Sequence, residues 1–167
     1  MLSVITHSGG SLEGVSGFLS DLVPGAVSGL IRDVMLVESQ GDGEDLDALC
    51  QDAGARRLSG GLGVAVREVR SDLILLASPK LRLDSFALER LGREVRALDP
   101  EAAGRGLALK GRAFLGIWSP GPPLGLVATR GRLLALAPGV GLETALRKAS
   151  RGAQRLDIAG RARIMFR

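Results

Sequence analysis

The chain has 167 residues, 46% hydrophobic, 24% charged and 3% aromatic, with a formal net charge of +4. That length fits one domain with a core of its own. The apolar fraction excludes a disordered chain, the apolar run Leu73 to Ala77 is far too short for a membrane span, and a lone Cys50 excludes an intramolecular disulfide framework and a cysteine-rich metal site.

Met1 leads into an apolar segment with no basic residues before it, so no secretory signal and a cytoplasmic location are expected. The basic balance is carried by arginine, with only Lys80, Lys110 and Lys148 as lysines and no tyrosine. Almost nothing can lose a proton between neutral pH and the lysine range, which lifts the isoelectric point to 10.2 on a small positive excess. The one dense basic stretch holds Arg147, Lys148, Arg151, Arg155, Arg161, Arg163 and Arg167. It is expected to be the solvated face of a helix and strand, the alternative being a surface for acidic headgroups or phosphate. No aromatic residues alternate with these arginines, so nucleic acid is not an expected partner.

Hydrophobic period predicts alternating strands and helices. Leu2 to Thr6 reads as a strand, followed by a helix with Leu12, Val15, Phe18, Leu19 and Leu22 at spacings of three and four, ending near Pro24-Gly25. Val34 to Val37 reads as a buried strand and Glu38 to Gly43 as its polar exit. The next helix turns Leu46, Leu49, Cys50 and Ala53 inward and gathers Asp42, Glu44, Asp45 and Asp47 at its start, where the helix dipole favours them. Cys50 is read as packing. After Gly54 come a short strand at Ala55 to Leu58, a glycine turn at Ser59-Gly60-Gly61, and a helix with Leu62, Ala65, Val66 and Val69 inward. Leu73 to Ala77 is the strongest strand signal, and Asp84 is placed to cap a long helix carrying Leu88, Leu91, Val95 and Leu98. Further on, a strand is expected at Ala113 to Trp118, a proline-rich loop at Ser119 to Pro123, an apolar segment at Leu124 to Ala128 running into Arg130 to Leu136, a basic helix from about Leu142 to Arg151, and a last strand within Arg155 to Met165.

Four strands alternating with helices imply an α/β fold with a mainly parallel central sheet and helices on both faces. Ligands of such sheets bind beyond the carboxyl ends of the strands. The candidate exits are therefore Thr6-His7-Ser8, Glu38-Ser39-Gln40, Leu58-Ser59-Gly60 and Ser78-Pro79-Lys80.

The segments LSVITHSGG, DVMLVESQGDGEDLDALCQDAGARRL and GGLGVAVREVRSDLILLASPKLRL, in that order, resemble the first half of a family 2 glycosyltransferase. GLVATRGRLLAL resembles that family's cleft-lining segment, and LETALRKASRGAQRL its D-x-E-L-x-x-R-L helix. The resemblance implies a GT-A fold with an antiparallel C-terminal part. It also implies a single domain over 1–167, with a nucleotide-binding-like half at 1–100 and a reduced acceptor-side half at 101–167.

By that resemblance the candidate nucleotide-binding residues are Thr6, His7, Glu38, Gly60 and Lys80, and the partner is a nucleotide sugar such as a UDP-sugar. Glu38 stands where the family's carboxylate reads the base or ribose, and its alternative is a capping or solvated loop acid. Gly60-Gly61 resembles a phosphate cradle or is simply a turn. The departures from the family are as informative. Ser78-Pro79-Lys80 falls where the family holds the D-A-D that binds a divalent cation, and hard cations need oxygen ligands. No cofactor and no divalent metal are therefore expected, with Lys80 as a point charge for the diphosphate or as a surface lysine. The family's acidic dyad falls near Val140-Gly141, leaving Glu143 the nearest carboxylate, about a helical turn from the base's place. His7, the single histidine, is the other candidate for proton work. Trp118 is expected to close a sheet edge rather than stack on a sugar.

Two functions compete on this reading: metal-independent nucleotide-sugar binding or transfer, and a catalytically inactive relative kept as a binding or interaction module. A nucleotidyltransferase is the weaker third, because its glycine loop should directly follow the first strand and here only Gly9-Gly10 does. The apolar Leu124 to Ala137 region covers either a homodimer contact or an internal sheet edge.

Overall fold

The computed structural model describes residues 1–9, 11–38, 44–98, 106–110, 123–136 and 139–157. In chain order these form β1 (Leu2–His7), α1 (Leu12–Val27), β2 (Ile31–Val37), α2 (Glu44–Asp52), β3 (Arg56–Leu58), α3 (Leu62–Glu68), β4 (Leu73–Ala77) and α4 (Ser85–Ala97). They continue with β5 (Leu107–Lys110), β6 (Gly125–Thr129), α5 (Arg130–Leu136), α6 (Leu142–Ala149) and β7 (Gln154–Asp157). The expected strand at Ala113 to Trp118, most of the proline-rich loop, Ser39-Gln40 and the arginines from 161 onward lie outside the described residues.

Among the described residues seven strands make one sheet in the order β3-β2-β1-β4-β6-β5-β7. The pairs β1/β2, β1/β4, β2/β3 and β5/β7 are parallel, whereas β6 runs antiparallel to both β4 and β5. Of the apolar region from Leu124, Gly125–Thr129 forms β6, which is flanked on both sides and so lies inside the sheet, and Arg130–Leu136 forms α5.

The strands alternate between two cores, as a period of two requires. Val4, Leu75, Ala77, Leu109 and Val127 face α1 and α4, where Phe18, Leu22, Leu88 and Leu91 are buried. Ile5, Met35, Ile74, Leu76, Leu126 and Ala128 face the other way, against Ala65 and Val66 of α3, Leu133 of α5 and Ala145 and Leu146 of α6. A smaller cluster of Val15, Leu19, Leu36, Leu46 and Cys50 seats α2, which confirms Cys50 as packing. Full burial of each Leu, Ile or Phe contributes about 1.5–3 kcal/mol, so both layers carry the fold.

Local signals set the helix starts. Ser11 Oγ accepts from the Gly14 N–H at 3.1 Å, and Asp84 Oδ1 accepts from the Ala87 N–H at 2.7 Å. The end of α1 differs from expectation. The helix runs past Pro24 to Val27, because a proline in the last turn removes only the bond to the carbonyl four residues back. The Ser28 N–H then closes on the Pro24 carbonyl at 3.0 Å. Gly25 in this turn permits a close approach to β2, since a Cβ there would lie 2.7 Å from Ile31 Cδ1. β2 begins at Ile31, three residues ahead of the apolar run, because the polar Arg32 and Asp33 belong to the strand.

The amino ends of the strands are tied together by polar side chains. Asp33 Oδ1 accepts from Ser3 Oγ, and its Oδ2 accepts from Arg56 Nη2 at 2.9 Å and the Arg70 N–H at 3.3 Å. Ser3 Oγ accepts in turn from the Ser71 N–H at 2.9 Å. Arg130, just past β6, donates to the carbonyls of Val69 at 2.8 Å and Ser71 at 3.1 Å. Arg132 reaches the Ala149 carbonyl at 2.7 Å at the end of α6. Arg56, Arg130 and Arg132 thus donate to backbone carbonyls of loops and helix ends.

Candidate functional site

The carboxyl ends of β1, β2 and β3 leave the sheet in step. His7 pairs with Val37, and Val37 with Leu58, so the residues that follow stand side by side at the sheet's edge. Ser8 N–H donates to the Val37 carbonyl at 3.0 Å and Glu38 N–H to the Leu58 carbonyl at 3.1 Å, carrying the ladder one residue past each strand. From β1 the chain order runs outward in both directions, to β2 and to β4, which makes the His7 exit the topological switch point where such sheets take ligands.

An open cleft of about 770 Å³ lies there. One wall is His7, Val37 and Glu38; a second is Gly60 to Val64 with Arg67, from the glycine turn and α3; the third is Gly139 to Thr144, leading into α6. Helices α3 and α6 both open on glycine caps, Gly61 and Gly141, with no side-chain cap bond. Their first-turn N–H groups are therefore not taken up by a capping side chain.

Glu38 is the most constrained acid of the cleft. Its Oε1 lies 2.8 Å from Arg57 Nε, and its Oε2 accepts from Ser59 Oγ at 2.7 Å. Arg57 also reaches Asp47 of α2, with Nη1 2.5 Å from Oδ1. Glu143 sits on the first turn of α6, where a carboxylate is favoured by the helix dipole.

The cleft brings together His7, Glu38, Gly60 and Glu143, four of the residues singled out from the sequence. Thr6 is fully buried on β1 and does not line it. Lys80 is exposed in the turn after β4 and is not among the lining residues. Two participants, Arg67 and Arg57, escaped the sequence reading, and Ser59 enters it only as part of a strand exit. Arg67 needs the exposed side of a one-face helix pattern to be read, and Arg57 and Ser59 depend on the register between β2 and β3.

No family profile and no curated protein matches the chain. Solved structures do. Glucosyl-3-phosphoglycerate synthase from Mycobacterium tuberculosis, in complex with UDP, superposes with a TM-score of 0.69 over 100% of this chain and 73% of that one, at 14% identity. The same enzyme with Mn2+ and UDP-glucose superposes with a TM-score of 0.69 over 97% of this chain and 70% of that one, at 16% identity. With Mn2+, UDP and glucosyl-3-phosphoglycerate it gives 0.69 over 95% and 70%, at 14% identity. The chain therefore has the GT-A-like fold of these glycosyltransferases. Among the described residues no helix is long and apolar enough to cross a membrane.

These structures overturn one expectation. Neighbours on this fold hold Mn2+ together with UDP-glucose, so the inference that no divalent cofactor belongs here does not stand. The exit of β4 does not itself fit such an ion. Ser78 is buried with its Oγ accepting from the Lys80 N–H at 3.3 Å, Pro79 has no ligand atom in its side chain, and Lys80 is a cation. Ser78, Pro79 and Lys80 therefore do not supply side-chain ligands for such an ion.

Proposed function

We propose that this chain is a glycosyltransferase of the family 2 type that binds a nucleotide sugar, such as a UDP-sugar, in the cleft at the carboxyl edge of the sheet. The observation that carries the reading is the convergence of His7, Glu38, Gly60 and Glu143 on one cleft at the switch point of a GT-A-like fold. Neighbours that bind UDP and UDP-glucose support it. In this reading residues 1–100 supply the donor half and 101–167 a reduced acceptor side of one domain. Glu38 accepts hydrogen bonds from the nucleoside, with Thr6, buried in β1 next to His7 in the chain, supporting that exit. The glycine turn lets the backbone approach the ligand closely. Transfer would join an acceptor oxygen to the sugar's anomeric carbon, break the bond to UDP, and send the acceptor proton to Glu143 or His7.

Calorimetric titration with UDP and UDP-glucose, with and without Mn2+, tests the reading. Saturable binding is expected, followed by slow release of free glucose from UDP-glucose. Glu143→Gln should slow that release by about 10²-fold, the usual weight of a general base, and leave UDP affinity unchanged. No binding at millimolar UDP under either condition would contradict it. A second reading, an inactive relative that keeps the binding shell, is favoured by the residues at the exit of β4. It predicts UDP binding without any release of glucose.

A further inference from the structure

Two arginines stand side by side on β3, and the strand's alternation sends them to opposite faces. Each meets an acid on or just past β2. Arg56 finds Asp33, whose oxygens already accept from Ser3, Arg56 and the Arg70 N–H. That carboxylate is 8% exposed and used up by the protein. Arg57 finds Glu38, and the outcome is different. The Glu38 side chain remains 27% exposed, on the wall of the cleft. Among the described residues one partner engages each of its oxygens, Arg57 on Oε1 and Ser59 on Oε2.

An ionised carboxylate has about four lone-pair sites; Ser59 takes one on Oε2, and Arg57 Nε meets Oε1 as an ion pair outside hydrogen-bond geometry, so acceptor sites remain on both oxygens. A glutamate free to rotate about three torsions would present those sites in many directions. A clamp on both oxygens fixes the carboxylate plane before any ligand arrives, and pre-ordered acceptors bind more tightly than ones that must be ordered. Arg57 is itself held, being 18% exposed and bridged to Asp47 on α2. Its planar fork suits this double role, which a lysine could not fill.

We propose that Arg57 and Ser59 are positioning residues. They fix the Glu38 carboxylate as a paired acceptor for a vicinal diol, the 2′- and 3′-hydroxyls of a ribonucleoside diphosphate. This rests on the nucleotide reading above and adds to it the source of discrimination between ribose and deoxyribose. Neither residue touches the reacting atoms; both act through Glu38.

The test is calorimetry with UDP and 2′-deoxy-UDP on the wild type, Arg57→Met and Ser59→Ala, with thermal melting as a check on folding. Wild type should prefer UDP by about tenfold, the usual weight of a hydrogen bond to a charged group. The preference should fall to about twofold in Arg57→Met, and between the two in Ser59→Ala, by the same scale. Ser59 is exposed, so its truncation leaves a folded protein to measure even where the arginine variant does not. Parallel loss of affinity for both nucleotides with an unchanged ratio would overturn the positioning role and leave nucleotide binding intact. So would a wild type that binds both nucleotides equally. A wild type that binds neither would overturn the nucleotide reading, and this proposal with it.

Discussion

The two edges of the same sheet use similar residues to opposite ends. At the amino edge the Asp33 carboxylate is taken up by Ser3, Arg56 and the Arg70 N–H, and Arg130 donates to the backbone of the turn before β4, while Arg56 Nε, Ser71 Oγ and Arg130 Nε have no hydrogen-bond partner among the described residues. At the carboxyl edge Glu38, Arg57 and Ser59 form a comparable cluster, but it opens on a cleft walled by glycine turns and helix starts. The first arrangement contributes stability and the second keeps unused acceptors near solvent. A buried carboxylate needs every partner it can find, whereas a binding carboxylate must leave some of its capacity to a ligand.

Substitutions at each edge should therefore separate stability from binding. Asp33→Ala has the largest expected effect, a loss of about 2–3 kcal/mol in urea unfolding, because it strands Arg56, the Ser3 hydroxyl and the Arg70 N–H together. UDP affinity of the folded fraction should stay within about twofold, since none of the groups bonded to Asp33 lines the cleft. Arg130→Met should cost about 1–2 kcal/mol in the same assay by leaving two loop carbonyls without their donor. Glu38→Gln reverses the pattern. Its melting temperature should move by no more than a surface ion pair allows, under about 1 kcal/mol, while calorimetry shows UDP affinity down by about tenfold. Lys80→Ala should change least, leaving UDP affinity within about twofold, as expected for an exposed charge off the cleft wall. A tenfold loss there would instead move the diphosphate toward the exit of β4.

How much of this was legible in the sequence differs between the halves. From Leu2 to Ala97 the elements announced themselves by period, and in places by cap, as with Asp84 before α4, and the mainly parallel direction of the strands, though not their order, followed from alternation. The early start of β2 was hidden because Arg32 and Asp33 break its apolar run while serving the amino edge. In the second half β5 went unread, since the four residues Leu107–Lys110 are too few to show a period. Its place beside the antiparallel β6 is a matter of tertiary pairing. Strand exits pointed to His7, Glu38 and Gly60, because the carboxyl edge of a parallel sheet is where ligands go. Arg57 could not be found that way. Its role depends on Val37 lying opposite Leu58, a register no local pattern encodes. The metal inference failed for a related reason: three residues at one exit were taken to speak for the whole site.

The central claim is that ligand binding is confined to the carboxyl edge. Amide hydrogen exchange of the whole chain, with and without saturating UDP and Mn2+, tests it directly. The account predicts added protection at residues 7–8, 38, 59–64 and 141–144, with exchange at Ser3, Asp33, Arg56 and Ser71 unchanged. Protection that appears at the amino edge instead, or nowhere in the chain, would contradict it.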